Sequence, residues 1–309
     1  MAAVPATVAR QPLAVIGAAI GAGAPDERSA DGPRALFDGG LLDRLKTDGI
    51  AADWLGLRAA PRRADGAEAL TAVASLGRLM AAETERLTHE RRPFVALGGD
   101  HSAAIGLWSG VARAARPQRF GLIWIDAHMD AHTFATTPSR MIHGMPVASL
   151  LGHGDERLTG LAAPGAAVAP ETLCLIGTRS WEAGEADLLR RLGARIIAMP
   201  EVKTRGFDAA LAEAITIATR GTGRFGVSID IDAFDPAEIT GTGLHVPDGL
   251  HPAEVLPALH RLRDQPTLAG LEIAEYNPHE DTHGATARLV GEMIIAAFGA
   301  DQTGQPRDR

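Results

Sequence analysis

The stretch from Gly121 to Ile125 (GLIWI), followed at once by Asp126 to Asp130 (DAHMD), contains the pattern on which the fold depends. The first half is short and apolar, which is typical of a strand buried on both faces of a parallel sheet. The second half places side chains that carry ligand atoms directly after that strand. Ligands of open α/β sheets bind beyond the carboxyl ends of the strands. The stretch therefore predicts a central strand that ends at a chemical site.

The same alternation extends along the chain in both directions. Six further apolar or β-branched runs predict strands: Leu13 to Ile16, Phe94 to Leu97, Thr172 to Ile176, Arg195 to Met199, Gly226 to Ile229 and Gly270 to Ile273. Segments with helical spacing lie between them, namely Gly66 to His89, Ala103 to Ala115, Ala183 to Leu192, Asp208 to Arg220, Pro252 to Arg263 and Thr286 to Phe298. Alternating strands and helices predict βαβ units with helices on both faces of one open sheet.

Composition fits a globular protein better than a nucleic-acid-binding or membrane protein. Of the 309 residues 46% are hydrophobic, and 38 acidic against 30 basic residues give a net charge of −8. This charge argues against nucleic acid or an anionic membrane as partner. The apolar stretch from Leu13 to Ala24 is shorter than the roughly 20 residues of a membrane span, so we expect a first strand and a cytoplasmic protein. Cys174, the only cysteine, excludes a disulfide framework.

We expect a single domain over residues 1–309, with about residues 1–11 and 299–309 as frayed tails. No linker, charge block or internal repeat divides the chain. The Gly/Pro-rich segment from Gly154 to Pro170 is the best candidate for a boundary, but it fits a surface loop equally well.

Four of the predicted strands are followed by residues that could bind metal. These segments are Gly98 to Ser102 (GGDHS), Asp126 to Asp130 (DAHMD), Asp230 to Asp232 (DID) and Glu275 to Pro278 (EYNP). Any one Asp could cap a helix, and a lone His is usually an ordinary polar residue. Together, however, they would gather four carboxylates at one sheet edge without a countercharge, which is unfavourable unless cations neutralise them.

The candidate metal ligands are His101, Asp126, His128, Asp130, Asp230 and Asp232. Two divalent ions would balance the four carboxylates. An oxygen-rich set with two imidazoles suits Mn²⁺, although Zn²⁺, Co²⁺ or Ni²⁺ would compete through intrinsic affinity.

These four segments resemble the signatures of the ureohydrolase family, which includes arginases and agmatinases. The resemblance covers nearly the whole chain, including Asp31 to Pro33 and Gly40 to Leu42 near its start. It implies a three-layer α-β-α sandwich with an eight-stranded parallel sheet, a homo-trimer or homo-hexamer, and two manganese ions per subunit. It also implies that His101, Asp126, Asp130 and Asp230 hold one ion and that His128, Asp126, Asp230 and Asp232 hold the other.

The family's reaction is the hydrolysis of a guanidino group to urea and an amine. Two metal ions roughly 3.5 to 4 Å apart can share a water molecule and lower its pKa towards neutrality. We expect Glu275 to anchor the guanidinium and Asp130 to accept a hydrogen bond from the attacking group. His143 matches the family's proton shuttle, although it could also be an ordinary histidine at a helix start.

The segment from His143 to Pro146 (HGMP) resembles arginases more than agmatinases, which favours the conversion of L-arginine to L-ornithine and urea. The residues that recognise the amino-acid head in arginases are largely replaced, and only Ser139 is kept. We expect His132, Ser139, Arg140, Glu182 and Glu275 to contact the substrate. Arg140 could bind a substrate carboxylate and Glu182 an α-amino group, but Arg140 could equally be a solvated loop residue.

Other functions remain open from the sequence. An agmatinase or a guanidino-acid hydrolase would also use this metal site, with a rebuilt head-group pocket. A catalytically silent, oligomeric binding protein is a further alternative, which retention of all six candidate ligands argues against. A zinc deacetylase on the same layered fold is disfavoured because His101, Asp230 and Asp232 complete a second metal position.

Overall fold

Eight parallel strands form one sheet in the computed structural model, which describes residues 11–62 and 66–300. The strands are β1 (Leu13–Ala19), β2 (Ala52–Ala59), β3 (Phe94–Gly98), β4 (Arg119–Ile125), β5 (Leu173–Ile176), β6 (Arg195–Ile197), β7 (Thr222–Asp230) and β8 (Leu268–Ala274). Their order across the sheet is β2-β1-β3-β8-β7-β4-β5-β6. The predicted eight-stranded parallel sheet is confirmed.

Helices cover both faces of this sheet. They are α1 (Gly32–Asp38), α2 (Leu41–Thr47), α3 (Gly66–His89), α4 (Ala103–Ala115), α5 (Pro146–Leu150), α6 (Glu156–Thr159), α7 (Ala183–Leu192), α8 (Met199–Arg205), α9 (Phe207–Ala218), α10 (Pro252–Leu259) and α11 (Ala285–Phe298). Within the described ranges, no helix is both long and apolar enough to cross a lipid bilayer.

The two faces of β4 belong to different cores. Leu122 and Trp124 lie in the cluster that includes residues of α3 and α4, whereas Ile123 and Ile125 lie in the cluster that includes residues of α9 to α11. Successive side chains of a strand point to opposite faces, so a strand covered on both sides must be apolar throughout. This is why the central strands are visible in the sequence as uninterrupted apolar runs.

Some elements differ from the sequence prediction. Strand β2 was not predicted, because it lies at the sheet edge and alternates between half-buried and exposed residues. The predicted run from Arg195 to Met199 ends as a strand at Ile197, and Met199 begins α8, which was also not predicted. Of the predicted tails, residues 1–10 and 301–309 lie outside the described ranges.

The segment from Gly154 to Pro170 packs against α4. Arg113 of α4 and Arg116, which directly follows the helix, donate hydrogen bonds to the carbonyl oxygens of Leu161 and Ala162, at 3.1 and 2.6 Å. Both apolar side chains are buried. Cys174 is also buried, and burial raises the pKa of its thiol to about 12.

Candidate metal centre and active site

The four strands that precede the ligand-type segments are neighbours in the sheet, in the order β3-β8-β7-β4. Their carboxyl ends therefore meet at one edge. Close backbone contacts fix this edge. A side chain on Gly99 would overlap the carbonyl oxygen of Ile20, and the Gly99 carbonyl accepts a hydrogen bond from the Glu275 amide at 2.7 Å. Glycine is required here because two backbone segments approach too closely for a Cβ atom.

The first cluster surrounds the ring of His101. Its Nδ1 lies 3.0 Å from Asp230 Oδ2 and 3.3 Å from the Oδ2 atoms of both Asp126 and Asp130. The His101 ring stacks on the indole of Trp124 with a centroid separation of 4.1 Å. The structure thus brings four of the six candidate ligands together from three different strand ends.

The second cluster adjoins the first through Asp126. His128 Nδ1 lies 3.0 Å from Asp232 Oδ2 and 3.5 Å from Asp126 Oδ1. Short turns hold these carboxylates in place: Asp126 Oδ1 accepts from the His128 amide at 2.6 Å, and Asp230 Oδ1 accepts from the Asp232 amide at 2.8 Å. All six candidate ligands therefore lie in two groups that share an aspartate.

The electrostatics of these clusters are those of a cation site. Burial, together with the charges of Asp232 and Asp126, raises the pKa of Asp230 well above its usual range. Among the described residues, His101 Nδ1 and Asp130 Oδ2 are buried and have no hydrogen-bond partner. Buried polar atoms without partners are rare in folded proteins and point to a missing water or ion. The donor set of carboxylate oxygens and imidazole nitrogens fits hard or borderline divalent cations.

A third group with ligand atoms, formed by His132, Glu182 and Glu185, differs from the first two. His132 Nε2 lies 2.9 Å from Glu182 Oε2, and His132 Nδ1 lies 3.1 Å from the hydroxyl of Thr136. Glu185 accepts hydrogen bonds from the amides of Glu182 and Ala131, at 2.9 and 3.2 Å. This group satisfies its own polar atoms, so it does not require a cation.

The two residues expected to handle substrate and proton lie beside the first cluster. Glu275 Oε1 accepts from the His101 amide at 2.9 Å and lies 3.1 Å from His143 Nδ1. Burial disfavours a charged imidazole, but the hydrogen bond to Glu275 and the nearby carboxylates of Asp130 and Asp100 raise the pKa of His143 to about 9. Glu275 and Asp130 both adopt a left-handed backbone conformation, with φ of 62° and 49°. Such conformations are uncommon for residues with side chains and concentrate at functional sites.

The other residues predicted to contact the substrate do not form a single group of contacting side chains. His132 and Glu182 contact each other, whereas the guanidinium of Arg140 lies 5.5 Å from the ring centroid of Phe134. The hydroxyl of Ser139 accepts from the amide of Met141 at 3.2 Å and so stabilises the local turn. Within the described ranges, no hydrogen bond or ion pair joins Arg140 to Glu182.

Sequence reasoning missed two acidic residues that support this site. Asp100 accepts from the Gly23 amide at 2.7 Å, and the Gly23 carbonyl accepts from the His143 amide at 3.0 Å, so Asp100 helps to hold His143. Glu185 anchors the segment after Asp130, and burial raises its pKa to about 7. The spacing of Glu182 and Glu185 is that of a capping box, which is the signal that could have identified Glu185.

Comparisons with known proteins agree with this geometry. The Arginase family profile matches residues 11–299. The arginase of Bacillus caldovelox is 33% identical over 296 residues, which cover 94% of this chain and 98% of the relative. The arginase of Brevibacillus brevis is 38% identical over 213 residues, covering 69% of this chain and 70% of the relative. The crystal structure of arginase from Bacillus subtilis superposes with a TM-score of 0.86 at 29% identity, covering 94% of this chain and 100% of that chain.

The family match and the arginase relatives define the class as a ureohydrolase, a hydrolase that acts on guanidino compounds. Within that class, the chain belongs to the Arginase family. The resemblance inferred from the four segments is confirmed.

Proposed function

We propose that this protein hydrolyses L-arginine to L-ornithine and urea, with two Mn²⁺ ions held by the six clustered residues. The observation that carries this proposal is the pair of buried, unpartnered ligand atoms, His101 Nδ1 and Asp130 Oδ2, within a crowded acidic cluster. His101, Asp126, Asp130 and Asp230 would hold one ion, and His128, Asp126, Asp230 and Asp232 the other. When bound, the ions lower the pKa of water so that a nucleophile is available near neutral pH.

The residues of the chain orient the substrate and supply the proton. The carboxylate of Glu275 is fixed by its bonds to the His101 amide and to His143, and its negative charge can pair with the guanidinium NH groups. Asp130 can accept a hydrogen bond from the attacking group. His143 binds Glu275 through Nδ1, which leaves Nε2 to donate a proton to the departing amine.

The identity of the head group rests on two opposed observations. The curated relatives are arginases, which favours L-arginine. However, Glu182 Oε2 already pairs with His132, and both oxygens of Glu185 accept backbone hydrogen bonds, so both carboxylates have partners within the chain. This second observation favours a guanidino compound without the amino-acid head, such as agmatine or a guanidino acid.

Urea release from Mn²⁺-loaded protein tests the proposal. L-arginine, agmatine and 4-guanidinobutyrate should be compared by kcat/KM, with L-arginine expected to be the best substrate. A preference for either of the others would support the second candidate, and no urea from any of them would favour a silent binding protein. The kcat/KM of Arg140→Ala for L-arginine tests the suggested carboxylate contact, which predicts a loss of about 1.5 to 3 kcal/mol of transition-state stabilisation.

The resemblance supports three further proposals, which concern the whole chain. We propose one catalytic domain over residues 1–309, a cytoplasmic location, and assembly into a homo-trimer or homo-hexamer. Sedimentation velocity on the full chain would distinguish the two assemblies from a monomer.

A further inference from the structure

A row of buried polar side chains leads from the metal-site histidine into the core of the sheet. His101 Nε2 lies 2.9 Å from Ser228 Oγ, and Ser228 Oγ donates to Glu272 Oε2 at 2.7 Å. The same carboxylate oxygen accepts from Trp108 Nε1 at 2.8 Å. All four side chains are at most 1% exposed. The row therefore connects a candidate ligand to a carboxylate that does not belong to either cluster.

Donors and acceptors in this row have only one consistent arrangement while Glu272 is ionised. The indole of Trp108 can only donate, and the single hydroxyl proton of Ser228 is directed to Glu272. Ser228 Oγ must then accept from His101, which requires a proton on Nε2. The lone pair of a neutral His101 is thereby placed on Nδ1, the atom that lies within 3.3 Å of three carboxylates.

The lone pair on Nδ1 and the nearby carboxylate oxygens would repel each other unless a cation lay between them. The orientation and the tautomer favoured by the row are thus those of a metal ligand. Metal-bound histidines commonly donate their other ring NH to an oxygen acceptor, which fixes the ring and raises its basicity.

Glu272 accepts two buried hydrogen bonds through Oε2, from Trp108 and Ser228, but its carboxyl group is costly to bury at this position. It lies between Leu271 and Ile273 in the centre of β8, directly opposite Ser228 of β7. Among the described residues, its Oε1 is buried without a hydrogen-bond partner. Burial raises the pKa of Glu272, although the bonds from Ser228 and Trp108 partly oppose that shift. A buried carboxyl with one unsatisfied oxygen destabilises the fold, so a functional role is the better explanation for it.

We propose that Glu272 is a positioning residue that acts through Ser228 to hold His101 in the orientation and tautomer that binds a divalent cation. This inference rests on the proposed metal centre. Glu272 belongs to neither cluster and is not among the residues expected to contact the substrate.

The test is the dissociation constant of Mn²⁺, measured by chelator competition on the full-length protein. Glu272→Met removes the carboxylate at similar volume and should weaken the site that includes His101 by about 10- to 100-fold, as outer partners of metal ligands usually do. Ser228→Ala should cause a similar loss. Because both residues act through the same hydrogen bond to His101, the double variant should be no weaker than Ser228→Ala alone.

Thr84→Val is the matched control. Thr84 has a buried hydroxyl in α3 that donates to the carbonyls of Met80 and Leu107, neither of which belongs to the row. Its loss should lower the melting temperature without changing Mn²⁺ affinity. If Glu272→Met does not fold, Glu272→Gln keeps the shape without the negative charge and should still weaken binding by about 10-fold.

Two results would overturn the inference. Unchanged Mn²⁺ affinity in Glu272→Met, or losses that add in the double variant, would show that Glu272 does not act through Ser228 while leaving the metal centre intact. A wild-type protein that binds no divalent cation would overturn the proposed function and this inference together.

Discussion

At the scale of single residues, Asp126 joins the two candidate metal positions. Its Oδ1 accepts from the His128 amide and its Oδ2 accepts from Trp124 Nε1 at 2.9 Å, so both oxygens are fixed towards the two imidazoles. We expect Asp126→Asn to bind fewer than two Mn²⁺ ions per subunit and to lose more than about 100-fold in urea release, since a ligand should matter more than its outer partners. Metal content by elemental analysis and initial rates measure the two effects.

Asp187→Asn serves as the control for this substitution. Asp187 is exposed on α7, where its carboxylate pairs with Arg190 at 2.6 Å and not with a candidate ligand. It should retain both ions and full activity. An Asp126→Asn protein with two ions and wild-type rates would contradict the assignment of Asp126 as a shared ligand.

The raised pKa of His143 predicts how activity depends on pH. With a pKa of about 9, the imidazole is protonated at neutral pH and can act as an acid. Above pH 9 the protonated fraction falls about tenfold for each pH unit, so kcat should decrease on that side.

In His143→Asn, kcat should fall by about 10² to 10⁴ and the decrease above pH 9 should disappear. His89→Asn, at the exposed end of α3, should keep the wild-type profile; a persistent alkaline decrease in His143→Asn would assign it to another group.

At the scale of secondary-structure elements, the contact between α3 and α4 matters because α4 begins two residues after His101. A side chain on Gly106 would overlap the backbone of Gly77, so the two helices approach at a pair of glycines. Gly106→Ala gains up to about 1 kcal/mol of helix propensity but must separate two backbones, for which overpacking costs of about 1 to 3 kcal/mol are typical. We expect net destabilisation, measured as a lower free energy of unfolding.

Gly160→Ala is the matched control for this substitution. Gly160 has an ordinary helical φ of −65°, and nothing lies within 4 Å of the position its Cβ would occupy. Its stability should change by less than about 0.5 kcal/mol. Equal stability of the two variants would show that the helices can separate without cost.

The secondary-structure elements also show which parts of the fold and of the candidate site can be predicted from the sequence. Central strands such as β4 are buried on both faces and appear as continuous apolar runs, whereas the edge strand β2 carries exposed residues and was missed. The candidate metal ligands were predicted because each lies within a few residues of the end of a predicted strand. The bond between His132 and Glu182 joins residues 50 positions apart, and no local pattern predicts it. Local spacing therefore predicts the ligand set, but not the long-range pairs that position it.

For the whole molecule, the consequence of the acidic cluster is that stability should depend on divalent cations. The chain carries a net charge of −8, and the carboxylates of Asp126, Asp130, Asp230 and Asp232 are gathered in buried positions at one sheet edge. Ions that bind only the folded state stabilise it by about 2.7 kcal/mol per site at 100 times the dissociation constant. We expect Mn²⁺ to raise the melting temperature of chelator-treated protein.

The pH dependence of this stabilisation has a definite sign. Burial and neighbouring carboxylates raise the pKa values of Asp230 and Asp232, so protons compete with the ions more strongly as pH falls. The increase in melting temperature caused by Mn²⁺ should therefore be larger at pH 8 than at pH 6, at constant ionic strength. Asp126→Asn should show a smaller increase at both pH values, because it lacks one of the two aspartates that both positions share. An increase that is equal at both pH values, or unchanged in Asp126→Asn, would mean that Mn²⁺ stabilises the protein at some other place than this edge of the sheet.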